Sequence, residues 1–508
     1  MATVPSPPDT KPTGGLTLDD VQAFQQAFDK EPRFRQAMNA VCNTPVTKVA
    51  QDRRRVVGSN HTFSHHLEEG KATSQMSSGR CWMFAALNVL RAKARANMGL
   101  GDDFEGVVGA LHRRGKAAFV TDALAGAAYA EGLGHDRPAV LAYFPLVRLN
   151  PYQALLYRQC LAAGIAAVPL PSLDDIETLA GLRGAGVDVV LHLHWLNQIT
   201  KSAATADEAT ASVAAFLARL DTFRAAGGHV VWTAHNVLPH DSRYPAADAA
   251  LRQGLADRAL LVHVLARGTS DAVGDTYRMP PAERVVHVPH PSYVGAYPAG
   301  PTRDQARQEL GLTPDELVFA FVGAIRPYKG LDELLDAFDE VCAADPGRPR
   351  RLLVAGNPDG GTSIEGALDR CLAHPNVLLH ARRLPPEDLA VMLRAADVAV
   401  LPYRDALNSG VLMLALTFGL PVVAPAVAGV TELVDERVAA TFQPGDAGAL
   451  AAALQRSEAL PGDAATARAL EIAAARDPDT LSTRFASALR SALDKTPTAR
   501  AEEADPQR

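Results

Sequence analysis

Residues 317–338 read LVFAFVGAIRPYKGLDELLDAF: an apolar run, a glycine, a short loop carrying Arg326 and Lys329, and an acidic amphipathic segment opened by Gly330. That order predicts a buried strand that leads through a cationic loop straight into a helix. The texture recurs on both sides. Upstream lie AVLAYF (139–144), IAAVP (165–169), VDVVLHLH (187–194), HVVWTA (229–234), ALLVHV (259–264) and RVVHV (284–288). Downstream lie RLLVAG (351–356), NVLLH (376–380), VAVLP (398–402) and LPVVAP (420–425). Continuous apolar runs with helix-length spacers predict parallel strands covered on both faces, here as two successive doubly wound α/β domains. We place them at residues 137–292 and 293–495, with HPSYVGAYPAGPTRDQ (290–305) as the hinge and Thr302 as the N-cap of the next helix.

Composition narrows the function classes. The 508 residues carry 50 Lys+Arg against 57 Asp+Glu, a net charge of −7, and show no concentrated basic face of the kind nucleic acid requires. No apolar run approaches the ~20 residues that span a bilayer. Residues 1–15 (MATVPSPPDTKPTGG) are polar and Pro-rich, so they read as a disordered leader without a secretory core, and 496–508 as a frayed tail. The five cysteines are far apart, which fits reduced thiols. The expectation is a cytoplasmic protein.

In open α/β sheets, ligands bind beyond the carboxyl ends of the strands. In the second domain those positions hold Arg326, Lys329 and Gly330 after the first run, Asn408, Ser409 and Gly410 after residues 398–402, and Glu432 after 420–425. Two cations beside a Ser-Gly at a helix start make a diphosphate clamp. Arginine grips oxygens bidentately, lysine adds a point charge, and the helix start offers free N–H groups. The plainer alternative, two surface cations at a helix entry, leaves the Ser409-Gly410 loop unexplained.

These residues carry a resemblance. FVGAIRPYKGLDELLDAF (321–338), AGNP (355–358), AADVAVLPYRDALNSGVLMLALTFGLPVVAPAVAGVTELV (395–434) and HNVLPHD (235–241) resemble the large retaining family of nucleotide-sugar glycosyltransferases with the GT-B fold. That resemblance implies two Rossmann-like domains facing across a cleft, with a nucleotide-diphosphate sugar as co-substrate and a glycan or glycolipid as acceptor. It further implies donor contacts from Arg326, Lys329, Ser409, Gly410 and Glu432, with retention at the anomeric carbon. One departure stands out. The family's two glutamates, eight residues apart, are matched here by Ala406 and Leu414, and the second normally holds the ribose.

In the first domain, His235 ends the run 229–234 and faces the cleft as a candidate for hydrogen bonding to the donor sugar or a reacting hydroxyl. His194 and Trp195 end the neighbouring run, and Asn150 and Tyr152 follow the first; all four are assigned to the acceptor side. His290 sits at the hinge, where it could face the donor. The single Asp-x-Asp, Asp477 with Asp479, lies far from the strand ends, so we expect metal-independent transfer without a resident cofactor. A glycolipid acceptor would bring peripheral attachment to the inner face of a membrane.

The first hundred residues tell a different story. NHTFSHHLEEGKATSQMSSGRCWMFAALNVLR (60–91) resembles the start of the bleomycin hydrolase (aminopeptidase C) family of papain-like cysteine peptidases, with Cys81 at the nucleophile position and Gln75 as the oxyanion donor. The resemblance covers 16–105 and stops there. The family's Asn-Ser-Trp is missing, because Trp82, Trp195 and Trp232 follow Cys, His and Val. Without the imidazole base and its orienting Asn, the truncated segment is expected to be catalytically dead. Residues 106–136 then read as a Gly/Ala-rich connector, and the whole as a fusion of a peptidase fragment with a glycosyltransferase. The alternatives to sugar transfer are a Cys81 peptidase and a non-catalytic sugar-nucleotide binder.

Overall fold

The computed structural model of the chain describes residues 105–496, except 148–149, 360, 405–406 and 447. The leader, the peptidase-like segment with Gln75 and Cys81, Ala406 and all but the first residue of the tail therefore lie outside the described residues.

Two six-stranded parallel sheets account for the rest. The first holds β1 (Ala139–Phe144), β2 (Ile165–Pro169), β3 (Asp188–Leu193), β4 (His229–Ala234), β5 (Leu261–Val264) and β6 (Val285–His287), in the order β2-β1-β3-β4-β5-β6. The second holds β7 (Leu317–Val322), β8 (Arg350–Ala355), β9 (Val377–His380), β10 (Val398–Val400), β11 (Val422–Pro425) and β12 (Ala439–Phe442), in the order β12-β11-β10-β7-β8-β9. Eleven of these strands fall on the apolar runs of the sequence; β12, a short edge strand, does not announce itself there.

The strand order locates the ligand site. In each sheet the first strand has its successor on one side and a later strand on the other, so the chain reverses direction of travel there. The reversal falls between β1 and β3 in the first sheet and between β7 and β10 in the second. Crevices at such switch points open at the carboxyl ends of the strands. The loops after β1, β3, β7 and β10 are the ones that carry most of the candidate residues.

Packing follows the pattern. The helix Leu331–Ala344 buries Leu331, Leu334, Leu335, Phe338 and Val341, a 3.6-residue stripe, against Phe319 and Phe321. Thr302 caps the helix Arg303–Glu309 through a reciprocal box with Gln305.

Two boundaries differ from expectation. Residues Glu105–Gly132, within the stretch read as a Gly/Ala-rich connector, form a 28-residue helix, and Phe119, Ala123 and Ala127 join the core of the first sheet. Alanine richness there supplies helix propensity and close packing; at Gly126 an added Cβ would lie 2.7 Å from the Cβ of Ala166 on β2. At the other end, the helix Pro478–Leu493 leaves the second domain and packs on the first. Leu481, Phe485, Leu489 and Leu493 share a core with Leu141 of β1, Val190 of β3 and Val231 of β4. The chain thus crosses between domains twice, once near the anticipated hinge and once before Pro478. The two crossings are tied by Ser292 N–H donating to Arg476 O at 2.9 Å.

Candidate active site

A cleft of about 1470 Å³ lies between the carboxyl ends of the two sheets. Asn150, Tyr152, Trp195 and His235 line it from the first domain, and Arg326, Lys329, Asn408, Ser409 and Gly410 from the second. Nine of the residues singled out from sequence are thus brought to one cavity by the segments that follow five strands, β1, β3, β4, β7 and β10.

The cationic loop owes its shape to a glycine. Arg326 is extended, Pro327–Lys329 make one 3-10 turn, and Gly330 takes φ +70° before the helix Leu331–Ala344. A Cβ at Gly330 would lie 2.0 Å from the carbonyl oxygen of Pro402, so the loop after β7 packs backbone to backbone on the loop after β10. Gly330 was expected to touch the donor. It does not line the cleft; it lets Lys329 reach it.

Lys329 is only 7% exposed, and its ammonium lies 5.4 Å from the ring centroid of Tyr403. Burial first, and then the charge of Arg326, push its pKa down to about 8. A Cβ at Gly323 would lie 3.2 Å from Lys329 Nζ and 3.4 Å from Val411 Cγ2, so the ammonium sits beside the first turn of the helix Gly410–Thr417. Ser409 caps that helix, its hydroxyl accepting from Leu412 N–H at 3.2 Å. A Cβ at Gly410 would stand 2.9 Å from the hydroxyl oxygen of Tyr293, so a larger residue there would have to displace that side chain. A buried ammonium facing an amide-bearing helix start is chemistry suited to anionic oxygens. Arg326 is half exposed and paired with Asp359, which the sequence gave no reason to single out.

The opposite wall is aromatic. Trp195 stacks on His235 with centroids 4.0 Å apart and planes 19° apart, and Tyr152 meets His235 edge-on at 5.4 Å. Asn150 Oδ1 accepts from Tyr152 N–H at 3.0 Å and from the Tyr293 hydroxyl at 3.1 Å. His290 lines the wall as anticipated, its Nδ1–H donating to Pro291 O at 2.8 Å; burial lowers its pKa to about 4. His194 departs from expectation: it is buried behind the wall and bonded to His235 and Tyr157, so it supports the site rather than meeting an acceptor.

Glu432 is also corrected. Its carboxylate accepts from the backbone N–H groups of Arg267 at 2.8 Å and Gly268 at 2.6 Å, clipping the second domain to the loop after β5, and it does not line the cleft. Further contacts join the domains beside it. Asn408 Nδ2 donates to the carbonyl of His235 at 3.2 Å, and the rings of His240 and Tyr328 stack at 3.8 Å. Tyr328, Tyr293 and Arg383 complete the walls without having stood out in the sequence. Arg383 follows β9, and its position beyond a strand's carboxyl end was the available signal.

Leu414, where the resemblance would place a carboxylate, is a buried apolar group on the cleft wall. Asp477 caps the helix Pro478–Leu493 by accepting from Thr480 N–H at 2.8 Å, and Asp479 accepts from Gln159 at 2.7 Å. Among the described residues, no group of three or more His, Cys, Asp or Glu is arranged to hold a metal ion, and no helix is long and apolar enough to cross a membrane.

The architecture, two facing Rossmann-like domains with a C-terminal helix that returns to the first, is the GT-B fold. Residues 316–457 match the family Glycosyl transferases group 1, and residues 15–105 match the Peptidase C1-like family. The chain is 43% identical over 137 residues to a D-inositol 3-phosphate glycosyltransferase of Segniliparus rotundus, covering 26% of this chain and 30% of that one. It is 31% identical over 217 residues to the enzyme of that name from Corynebacterium efficiens, covering 41% of this chain and 50% of that one. The chain therefore spans a third to a half of the length of such relatives. Among solved structures, a sucrose-phosphate synthase from Thermosynechococcus elongatus superposes with a TM-score of 0.54 at 18% identity, covering 71% of this chain and all of that one, a likeness of fold.

Proposed function

We propose that the chain is a glycosyltransferase that moves a sugar from a nucleoside diphosphate to a hydroxyl-bearing glycan or glycolipid in the interdomain cleft. The observation that carries this reading is the buried Lys329 ammonium beside the Ser409-capped helix start, facing the His235–Trp195 wall. The matched region, residues 316–457, holds every one of these anion-binding groups.

In the transfer, the bond between the anomeric carbon and the diphosphate oxygen breaks and its electron pair leaves with the nucleoside diphosphate. The acceptor oxygen bonds to the anomeric carbon and gives up its proton to the departing phosphate oxygen. Charge that builds on the leaving group falls on Lys329, Arg326 and the amides at residues 409–411, fixed dipoles that need little reorganisation. This supports transfer without a metal ion or resident cofactor. Retention at the anomeric carbon follows from the family resemblance. The interdomain contacts at Asn408, Tyr328 and Glu432 keep both walls in register and limit water.

The test is release of nucleoside diphosphate from a panel of nucleotide sugars, with and without acceptors that include D-inositol 3-phosphate, from which the relatives take their name. Release that depends on acceptor and is lost in Lys329→Met supports transfer. Tight nucleotide-sugar binding with no turnover on any acceptor makes the chain a binder, and absence of both rejects the reading.

A further inference from the structure

Behind the aromatic wall runs an unbroken chain of hydrogen bonds across the carboxyl ends of β3, β4 and β5. His235 Nε2 lies 3.0 Å from His194 Nδ1, and His194 Nε2 lies 2.6 Å from the Tyr157 hydroxyl. The same hydroxyl is 2.8 Å from His192 Nδ1, and His192 Nε2 is 2.8 Å from Thr233 Oγ1. Thr233 Oγ1 is 3.1 Å from His263 Nδ1, and His263 Nε2 ends the chain 2.8 Å from the carbonyl oxygen of Val288. Strand register builds it: Thr233 and His263 are directly paired across β4 and β5.

The terminus decides the direction. A carbonyl only accepts, so His263 Nε2 carries a proton. His263, His194, His192 and Thr233 are fully buried, and burial lowers the histidine pKa values, to about 4 for His263 and about 3 for His194. The groups that act on the chain are Tyr143, Tyr152, Cys160, His287 and His290, with no carboxylate among them. Each ring is therefore neutral, with one donor and one acceptor. It follows that Thr233 donates to His263 Nδ1 and accepts from His192 Nε2, Tyr157 donates to His192 Nδ1 and accepts from His194 Nε2, and His194 Nδ1 accepts from His235 Nε2.

We propose that this chain fixes the proton of His235 on Nε2 and leaves Nδ1 as a hydrogen-bond acceptor for a ligand hydroxyl in the cleft. Among the described residues nothing bonds to His235 Nδ1, and it is not among the buried unpartnered atoms, although the ring lines the cavity. Thr233, His192, Tyr157 and His194 are positioning residues: they touch no ligand, and they set which hydrogen-bonding face His235 presents. Where transfer is the function, an inference that rests on the reading above, the hydroxyl belongs to the sugar or the acceptor.

Long-range proton–nitrogen correlation spectra of the full chain with isotope-labelled histidine test this directly, His235 being assigned by the signals lost in His235→Gln. The expected result at neutral pH is one neutral tautomer with the proton on Nε2. Thr233→Val should release it into a mixture, and Thr233→Ser should keep it. A proton on Nδ1, a tautomer mixture in the unmodified chain, or a charged ring at neutral pH overturns the proposal. So does a folded Thr233→Val with His235 unchanged. The tautomer is read without turnover, so an Nε2-protonated His235 in a chain that transfers no sugar upholds this proposal while removing the functional one.

Discussion

Asn408, immediately before the Ser409 that caps the helix Gly410–Thr417, donates its side-chain N–H to the backbone carbonyl of His235 at 3.2 Å. One bond thus joins the cationic wall of the cleft to its aromatic wall. A neutral hydrogen bond of this kind contributes about 0.5–1.5 kcal/mol. Asn408→Ala is expected to lower kcat/KM by about two- to tenfold while leaving binding of the free nucleoside diphosphate unchanged. Steady-state kinetics beside calorimetric binding check both halves of that statement.

Lys329 gives the site a pH dependence of definite sign. With its pKa at about 8, the ammonium is charged below that pH and neutral above it. Diphosphate affinity should be flat below pH 7 and fall through pH 8 to 9, and Lys329→Met should be weak and flat throughout. Stability runs the other way. The unfolded lysine titrates near 10.4, so the folded state is penalised at low pH, by about 3 kcal/mol, and the penalty fades as pH rises from 8 to about 10. Ligand-free melting curves of the unmodified chain and Lys329→Met should therefore converge in alkaline buffer.

Arg326 is already engaged. Its ion pair with Asp359 is about half exposed on both sides, so an incoming diphosphate would share the guanidinium with a carboxylate. Exposed pairs of this kind are worth at most about 1 kcal/mol. Asp359→Asn should tighten diphosphate binding by a few-fold, most clearly at low salt, and fluorescence or calorimetric titration measures it.

On the proposed function, Leu414 leaves the ribose hydroxyls of a bound nucleotide without a carboxylate partner. A carboxylate at this position would bond a ribose hydroxyl for about 1.5–3 kcal/mol. The apolar side chain cannot, so ribo and 2′-deoxyribo nucleoside diphosphates should bind with nearly equal affinity. Competition titration of the two forms decides it.

The returning helix Pro478–Leu493 covers one face of the first sheet. Phe485 is fully buried and stacks on His192 at 5.3 Å with planes 13° apart. Phe485→Ala should cost about 3–5 kcal/mol and lower the melting temperature, which denaturant unfolding would measure.

Much of this was legible in the residues because parallel strands buried on both faces leave long apolar runs, and because a strand that ends in a glycine and two cations advertises its carboxyl end. Arg326, Lys329, Ser409 and Gly410 could be found that way. What stayed hidden depends on tertiary pairing. Nothing local says that residues 478–493 cross back to another domain, or that the alanine-rich residues 105–132 pack as a helix on β2. His194 precedes the cleft residue Trp195 and Glu432 follows the carboxyl end of β11, yet the first is turned inward, and a pair of backbone amides in the other domain captures the second. Gly330 shows the same limit: its spacing belongs to the site, but its role is to make room for Pro402.

The direct test of the clamp is calorimetric titration of nucleoside diphosphates into the unmodified chain and into Lys329→Met at neutral pH and low salt. A loss of affinity of at least about tenfold in the variant is predicted, since a charge-assisted contact to phosphate contributes about 1.5–3 kcal/mol. Equal affinity in the two proteins, with both shown to be folded, would contradict it.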